Sequence, residues 1–420
     1  MGIDPAKPYN KQEYEKGKTW ADFFKESVLD QMKEITALYE EAQKEGFKLS
    51  DSDQAALNSS IETLKSSHEG SDYSNADSYL ASVYGKGCNV KVVSSLIEKS
   101  YIAQAYAEHK NASFSYSADD IKSYYEQNKD NLDNYTYLSC FIDGTKSSSE
   151  GSSDVSSASD IKETVSPSAS PSGSETEEEL MEKAKSTAEA IISRSDSAEA
   201  FKQAVLENVK TEASESTSKG SELMSDYANW LKDSSRKTGD TTVIKSGSGY
   251  YALYFISRDN NSYYTVNVRH ILIKAVADKN GSYTDEAKAA AKKKAEDLLA
   301  KWKSGEATEE SFAQLAKENS EDSGSNTNGG LYENVPKGEM VAEFNDWCFA
   351  EGRKPGDRGI VYGESGSYSG YHVMYYVGPG KLYRDKLAED NLRSKDFSEW
   401  KTALLEKYDV STGFTASLIK

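Results

Sequence analysis

Four sequence blocks occur twice in this chain, in the same order. Tyr135–Ile142 lines up with Val266–Ile273. Phe201-x-Gln203-x3-Glu207-Asn208 lines up with Phe312-x-Gln314-x3-Glu318-Asn319. Tyr227-x2-Trp230-x5-Arg236-Lys-x-Gly-Asp240 matches Phe344-x2-Trp347-x5-Arg353-Lys-x-Gly-Asp357, and Ser248-Gly-Tyr-Tyr251 matches Ser369-Gly-Tyr-His372. A chain that repeats four blocks in register is expected to fold the same unit twice, in tandem. The wide separation of the copies argues against one continuous solenoid.

The second copy carries the chemistry. Its ends, Val266–Ile273 and Ser369–Val377, read as strands because they are short runs of β-branched and aromatic residues. Each holds one of only four histidines in the chain, His270 and His372. If the strands pair, both rings can meet on one sheet face. Between them, Thr284-Asp-Glu-Ala opens a helix whose stripe is Ala287, Ala291, Ala295, Leu298, Leu299 and Trp302, with Gly305 as its end. A second helix shows Phe312, Leu315 and Ala316. A Ser/Gly-rich loop with Asp322 follows, then a third helix expected to carry Met340, Phe344, Trp347 and Phe349. Residue by residue, plainer readings stand beside these. A strand histidine is often a hydrogen-bonded core group, Met340 with Phe344 is often only core, and Asp322 suits a turn.

Val-Arg-His-Ile-Leu, Phe-Ala-Gln-Leu-Ala, Ser-Glu-Asp-Ser, Gly-Gly-Leu, Met340-x3-Phe344 and Ser-Gly-Tyr-His follow one another over roughly 110 residues. In this order they resemble parvulin-type peptidyl-prolyl isomerases. The resemblance implies that His270 and His372 are paired active-site histidines, with Asp322 where the family places a cysteine or aspartate. It implies a proline pocket of Leu331, Met340 and Phe344, with Ser369 completing the polar network. In the first copy Ser139 stands for His270, Tyr251 for His372, Leu223 for Met340 and Tyr227 for Phe344, so that copy is expected to be catalytically silent. Phosphate-directed members carry paired arginines after the first strand. The loop here, Lys274 to Gly281, has none, and no preference for phosphorylated residues before proline is expected.

Residues 19–133 read as helices. Thr19-Trp-Ala-Asp is a capping box, Phe24, Val28, Met32, Ile35, Leu38 and Ala42 form a stripe, Gly46 stops it, and Ser50 starts the next helix. Ile121–Lys129 resembles the segment before the isomerase domain in secreted foldases of the PrsA–SurA type. On that likeness the tail, with Phe397, Trp400, Leu404 and Tyr408, packs back on the N-terminal helices, and a short strand closes the chain at Val410–Leu418. The expected fold class is α+β: a helical chaperone-like body from both chain ends plus two parvulin-like domains, each an antiparallel sheet with flanking helices. The expected division is 1–133, 134–260, 262–380 and 381–420. A Ser/Thr/Pro-rich acidic insertion at about 144–177 is expected to be a mobile loop.

The net charge of −19 argues against nucleic-acid and anionic-membrane partners. Three cysteines, Cys88, Cys140 and Cys348, lack metal spacing and suggest buried thiols. No cofactor or metal is expected. No segment reads as membrane-spanning or as a signal peptide, and the foldase likeness implies an extracytoplasmic protein whose export segment and anchor are missing from this sequence. The function so implied is isomerisation of X-Pro bonds in unfolded exported chains. A non-catalytic holdase, and a surface structural or adhesion protein reusing the fold, are the other readings.

Overall fold

The computed structural model describes residues 2–145, 176–366 and 368–410. Most of the 144–177 insertion, and all of the expected closing strand beyond Val410, lie outside the described residues. Contacts divide the chain into two units. One comprises the chain up to Ala118 together with the segment from Glu389 onward, and the other spans Asp119–Ala388.

The first unit begins with a hairpin of β1 (Glu13–Glu15) and β2 (Lys18–Thr19), then the helices α1 (Trp20–Glu45), α2 (Asp51–Lys65), α3 (Ala76–Tyr84) and α4 (Val90–Ser113). Their starts follow from capping. Thr19 and Asp22 cap each other reciprocally, and Ser50, Asn75 and Asn89 each accept from a first-turn N–H. Gly46, at φ +69°, ends α1 in the left-handed conformation that glycine adopts at least cost. The core joins Ala37, Leu38 and Ala42 of α1 to Ala103 and Tyr106 of α4, and to Trp400 and Leu404 near the chain's end. Lys401 reaches Glu34 at 2.9 Å, and the Tyr408 hydroxyl donates to Glu40 at 3.0 Å.

The second unit opens with α5 (Ala118–Leu132). It continues through β3 (Asn134–Asp143), α6 (Glu177–Ile192), α7 (Ala198–Val209), β4 (Ser214–Lys219), α8 (Ser225–Lys232), β5 (Thr241–Ser246) and β6 (Gly249–Asp259). The same series then recurs as β7 (Tyr264–Lys274), α9 (Asp285–Ser304), α10 (Glu309–Asn319), β8 (Leu331–Val335), α11 (Ala342–Cys348), β9 (Arg358–Ser365) and β10 (Tyr368–Leu382). The final helix, α12 (Tyr383–Leu405), follows directly. The two antiparallel sheets run β4-β3-β6-β5 and β8-β7-β10-β9. Their registers coincide. Ser139 faces Leu253 and Phe141 faces Tyr251, as His270 faces Met374 and Leu272 faces His372. The bulge recurs too, at Thr136/Tyr137 and at Tyr376/Gly378.

The repeated Trp-x5-Arg-Lys-x-Gly-Asp block explains part of this identity. Arg236 lies 4.2 Å over the Trp230 ring, donates to the Trp230 carbonyl and pairs with Asp240. Arg353 does the same with Trp347, at 4.0 Å, and with Asp357. In each copy one planar cation fixes the turn after the short helix, by stacking and by hydrogen bonds together. In the second sheet, α9 and α10 cover one face and α11 the other. One expectation is corrected here. Met340 is not on the third helix, which begins only at Ala342, because the turn at Gly338 (φ +84°) places Met340 in the lead-in before the first helical residue.

Leu404 is 3% exposed in the helical core. Leu404→Ala is expected to cost about 2–5 kcal/mol. Hydrogen exchange should quicken at α1 and α4 amides while β7 and β10 keep wild-type protection. Unchanged exchange in α1 and α4 would contradict this packing.

Candidate active site

β7 and β10 are neighbours, so His270 and His372 sit diagonally on one face rather than directly opposite. Their Nδ1 atoms are 2.9 Å apart and the rings stack at 5.1 Å between centroids. Both are nearly inaccessible, at 3% and 4% exposure. The Phe344 ring of α11 meets both edge-on, at 5.5 and 5.4 Å. Met340 packs into the same cluster with Val266, Val268 and Met374.

The loop after α10 supplies the carboxylate. Asp322 Oδ2 lies 2.9 Å from His270 Nε2, accepts from Ser325 Oγ at 2.5 Å and from the Tyr332 hydroxyl at 3.0 Å. Main-chain bonds pin the loop to β7: His270 N–H donates to the Gly330 carbonyl and Glu321 N–H to the Leu272 carbonyl. A Cβ at Gly330 would fall 2.1 Å from the His270 carbonyl oxygen, so this close approach requires glycine. On the opposite face, Arg269 ties the same loop by pairing with Glu309 and donating to the Asn328 and Gly329 carbonyls.

The hydrogen bonds have one consistent direction when both rings are neutral. Three donors hold Asp322 well below the usual carboxylate range, foremost His270, then Ser325 and Tyr332, although burial opposes this. As an acceptor it assigns the proton of His270 to Nε2. His270 Nδ1 then accepts, and His372 Nδ1 donates to it. Burial above all, with like-charge repulsion whenever His270 carries a proton, pushes His372 down to about 3, so this ring stays neutral.

His270, His372, Asp322, Met340 and Phe344 are therefore brought together. Ser369 is not. It is fully buried on the other face of β10, where its hydroxyl meets that of Tyr362 at 2.9 Å. Leu331 also faces away, since it pairs with Arg269, and Tyr332 turns toward the histidines in its place, 5.4 Å from the His270 ring. The cause is the irregular pairing of β8 around Asn334, which has φ +53°. A one-residue offset in a strand exchanges its two faces. Sequence reasoning missed Tyr332 and Ser325. Asn334, a residue tolerant of positive φ, was the only available cue. At the corresponding place in the first sheet, Tyr137, Tyr227 and Tyr251 meet edge-on in an aromatic cluster with no imidazole. Among the described residues no cluster of His, Cys, Asp or Glu could hold a metal ion.

Residues 250–374 match the family model of the PPIC-type PPIASE domain. This stretch is similar to PPIC-type domains. The match runs from Tyr250 on β6 to Met374 on β10 and encloses His270, Asp322 and His372. Foldase protein PrsA 1 of Listeria innocua is 32% identical over 155 residues, which is 37% of this chain and 42% of that protein. The Listeria monocytogenes counterpart matches equally. The chain thus spans less than half the length of these curated relatives. Among solved structures, one of the SurA-like chaperones PEB4 and Cj1289 of Campylobacter jejuni is 26% identical (35% of this chain, 56% of that one, TM-score 0.20). PrsA from Bacillus subtilis is 15% identical (94% and 90% covered, TM-score 0.34).

The PPIC-type domain should lose stability on acidification. An unfolded histidine takes up a proton below about pH 6.5, whereas folded His372 does so only near 3. Between those values the unfolded state binds more protons, so stability falls as pH falls. Asp322 is shifted the other way about its own range. Its contribution is present above about pH 3.9 and is lost only below that. From pH 6.5 to 4.5, His372→Asn should therefore flatten the stability curve by up to about 1.4 kcal/mol per pH unit relative to wild type. Parallel denaturation curves for the two proteins would contradict the buried neutral ring.

Proposed function

We propose that this chain is a peptidyl-prolyl cis–trans isomerase and foldase acting on unfolded extracytoplasmic proteins. The observation that carries this reading is the buried pair His270–His372, joined to Asp322 and walled by Phe344, Met340 and Tyr332. Rotation about X-Pro crosses a barrier of roughly 18–20 kcal/mol and needs no bond made or broken to the substrate. A catalyst needs an apolar wall for the pyrrolidine ring and polar groups that favour the twisted amide over the planar one. Phe344 and Met340 suit the first task. The hydrogen-bonded relay of His372, His270 and ionised Asp322 suits the second, because it sets polar groups beside that wall.

The foldase half rests on the helical unit. Phe24, Val28 and Met32 lie four residues apart on α1 and are 39%, 53% and 53% exposed, a stripe suited to apolar stretches of unfolded chain. No helix among the described residues is long and apolar enough to cross a membrane. Attachment to a membrane would run through an anchor outside these residues. The tandem division at 134–260 and 262–380 belongs to the proposal, with the first copy binding chain weakly or acting as a spacer. Loss of both imidazoles there supports silence.

A proline-peptide isomerisation assay on the full chain tests the reading. Turnover well above the uncatalysed rate is expected, with no gain when the residue before proline is phosphorylated and no loss in Tyr251→Ala. Suppressed aggregation without turnover would replace the reading by a holdase. A large phosphopeptide gain would overturn the inference from the arginine-free loop, and a drop in Tyr251→Ala would show a working first copy.

A further inference from the structure

A further polar group closes the chain of hydrogen bonds at the end away from Asp322. Tyr368 stands four residues before His372 on β10, hence on the same face. Its hydroxyl is 2.9 Å from His372 Nε2, and its ring meets the imidazole edge-on at 5.7 Å.

We propose that Tyr368 is a positioning residue of the isomerase reaction, holding the His372 ring by donating to Nε2. This rests on the isomerase reading above.

The direction of the relay makes a donor necessary. With both rings neutral, Asp322 accepts from His270 Nε2 and His270 Nδ1 accepts from His372 Nδ1, which leaves His372 Nε2 as a bare lone pair on a ring 4% exposed. A buried acceptor without a partner is costly, so the ring would turn or take a proton unless something donates to it. Among the described residues Tyr368 is the donor at that nitrogen. Burial, reinforced by Asp322 and Glu343, raises its phenol above the ordinary tyrosine range, so the proton stays on oxygen at working pH.

Two details of the sheet fit this role. A Cβ at Gly363 on β9 would fall 2.6 Å from His372 Nε2 and 3.1 Å from the Tyr368 hydroxyl, so the glycine leaves the space in which they meet. By the repeated block Ser248–Tyr251 and Ser369–His372, Gly247 of the first copy stands where Tyr368 stands. The copy without the imidazoles also lacks the phenol.

The test is Tyr368→Phe in the full chain, which removes one oxygen and keeps the ring. Wild type and variant are compared in turnover of a proline peptide and in nitrogen-15 spectra of the histidine rings. The variant should fold as wild type by circular dichroism and thermal midpoint. Its kcat should fall about three- to tenfold at unchanged KM, the effect of one lost hydrogen bond. The His372 Nε2 resonance should move from the hydrogen-bonded toward the free lone-pair value. Unchanged ring resonances would overturn the proposal, as would moved resonances with unchanged kcat. A risen KM at unchanged kcat would also overturn it, by making Tyr368 a substrate contact. Absence of turnover in wild type would instead defeat the isomerase reading, while the resonances would still judge the Tyr368–His372 bond.

Discussion

The structure around the candidate site depends on one hydrogen bond between two buried imidazoles. Two rings with Nδ1 atoms 2.9 Å apart cannot both present a proton or both present a lone pair there. One must donate, and the choice is made at the periphery. Asp322 fixes one end as an acceptor, and Ser325 and Tyr332 keep it ionised. The Gly330 contact with the His270 carbonyl and the Arg269 staple hold the loop that carries Asp322. Burial then keeps His372 neutral. The glycine-rich loop, the β7–β10 register and the Phe344 wall all serve this arrangement.

The two sheets show how a framework can outlast its chemistry. Both copies keep the stacked Arg–Trp pair, the Asp that receives it, the strand order and the bulge. They also keep a glycine that allows close strand approach. A Cβ at Gly249 would lie 2.2 Å from the Ile142 carbonyl oxygen, and one at Gly370 would lie 2.4 Å from that of Ile273. These features recur in the copy that lacks the histidines, where aromatic rings fill the corresponding face with ordinary core packing.

Much of this was legible in the residues. The repeated blocks foretold two like sheets, and the alternation around His270 and His372 placed both rings on the face that Val268, Met374 and Phe344 close. Capping at Thr19 and Ser50 and the stop at Gly46 fell where side-chain chemistry puts them. What was not legible came from local irregularity. Leu331 was assigned to the pocket by the family resemblance, but it pairs with Arg269 on the other face and Tyr332 takes its place, in a strand whose pairing slips around Asn334. Ser369 was assigned to the site by the family resemblance, but odd and even positions on β10 face opposite ways. Tyr368, one residue earlier, has the right parity. Met340 was placed on a helix by spacing alone, and Gly338 turns the chain before that helix starts.

If the two imidazoles act as one unit, their effects on catalysis must not add. The direct measurement is a double-mutant cycle, with kcat/KM on one proline peptide for wild type, His270→Ala, His372→Ala and the double variant. The account predicts that each single change removes most of the acceleration and that the second adds little, as for groups that work only together. Losses that multiply independently, or singles that both retain wild-type kcat/KM, would contradict it.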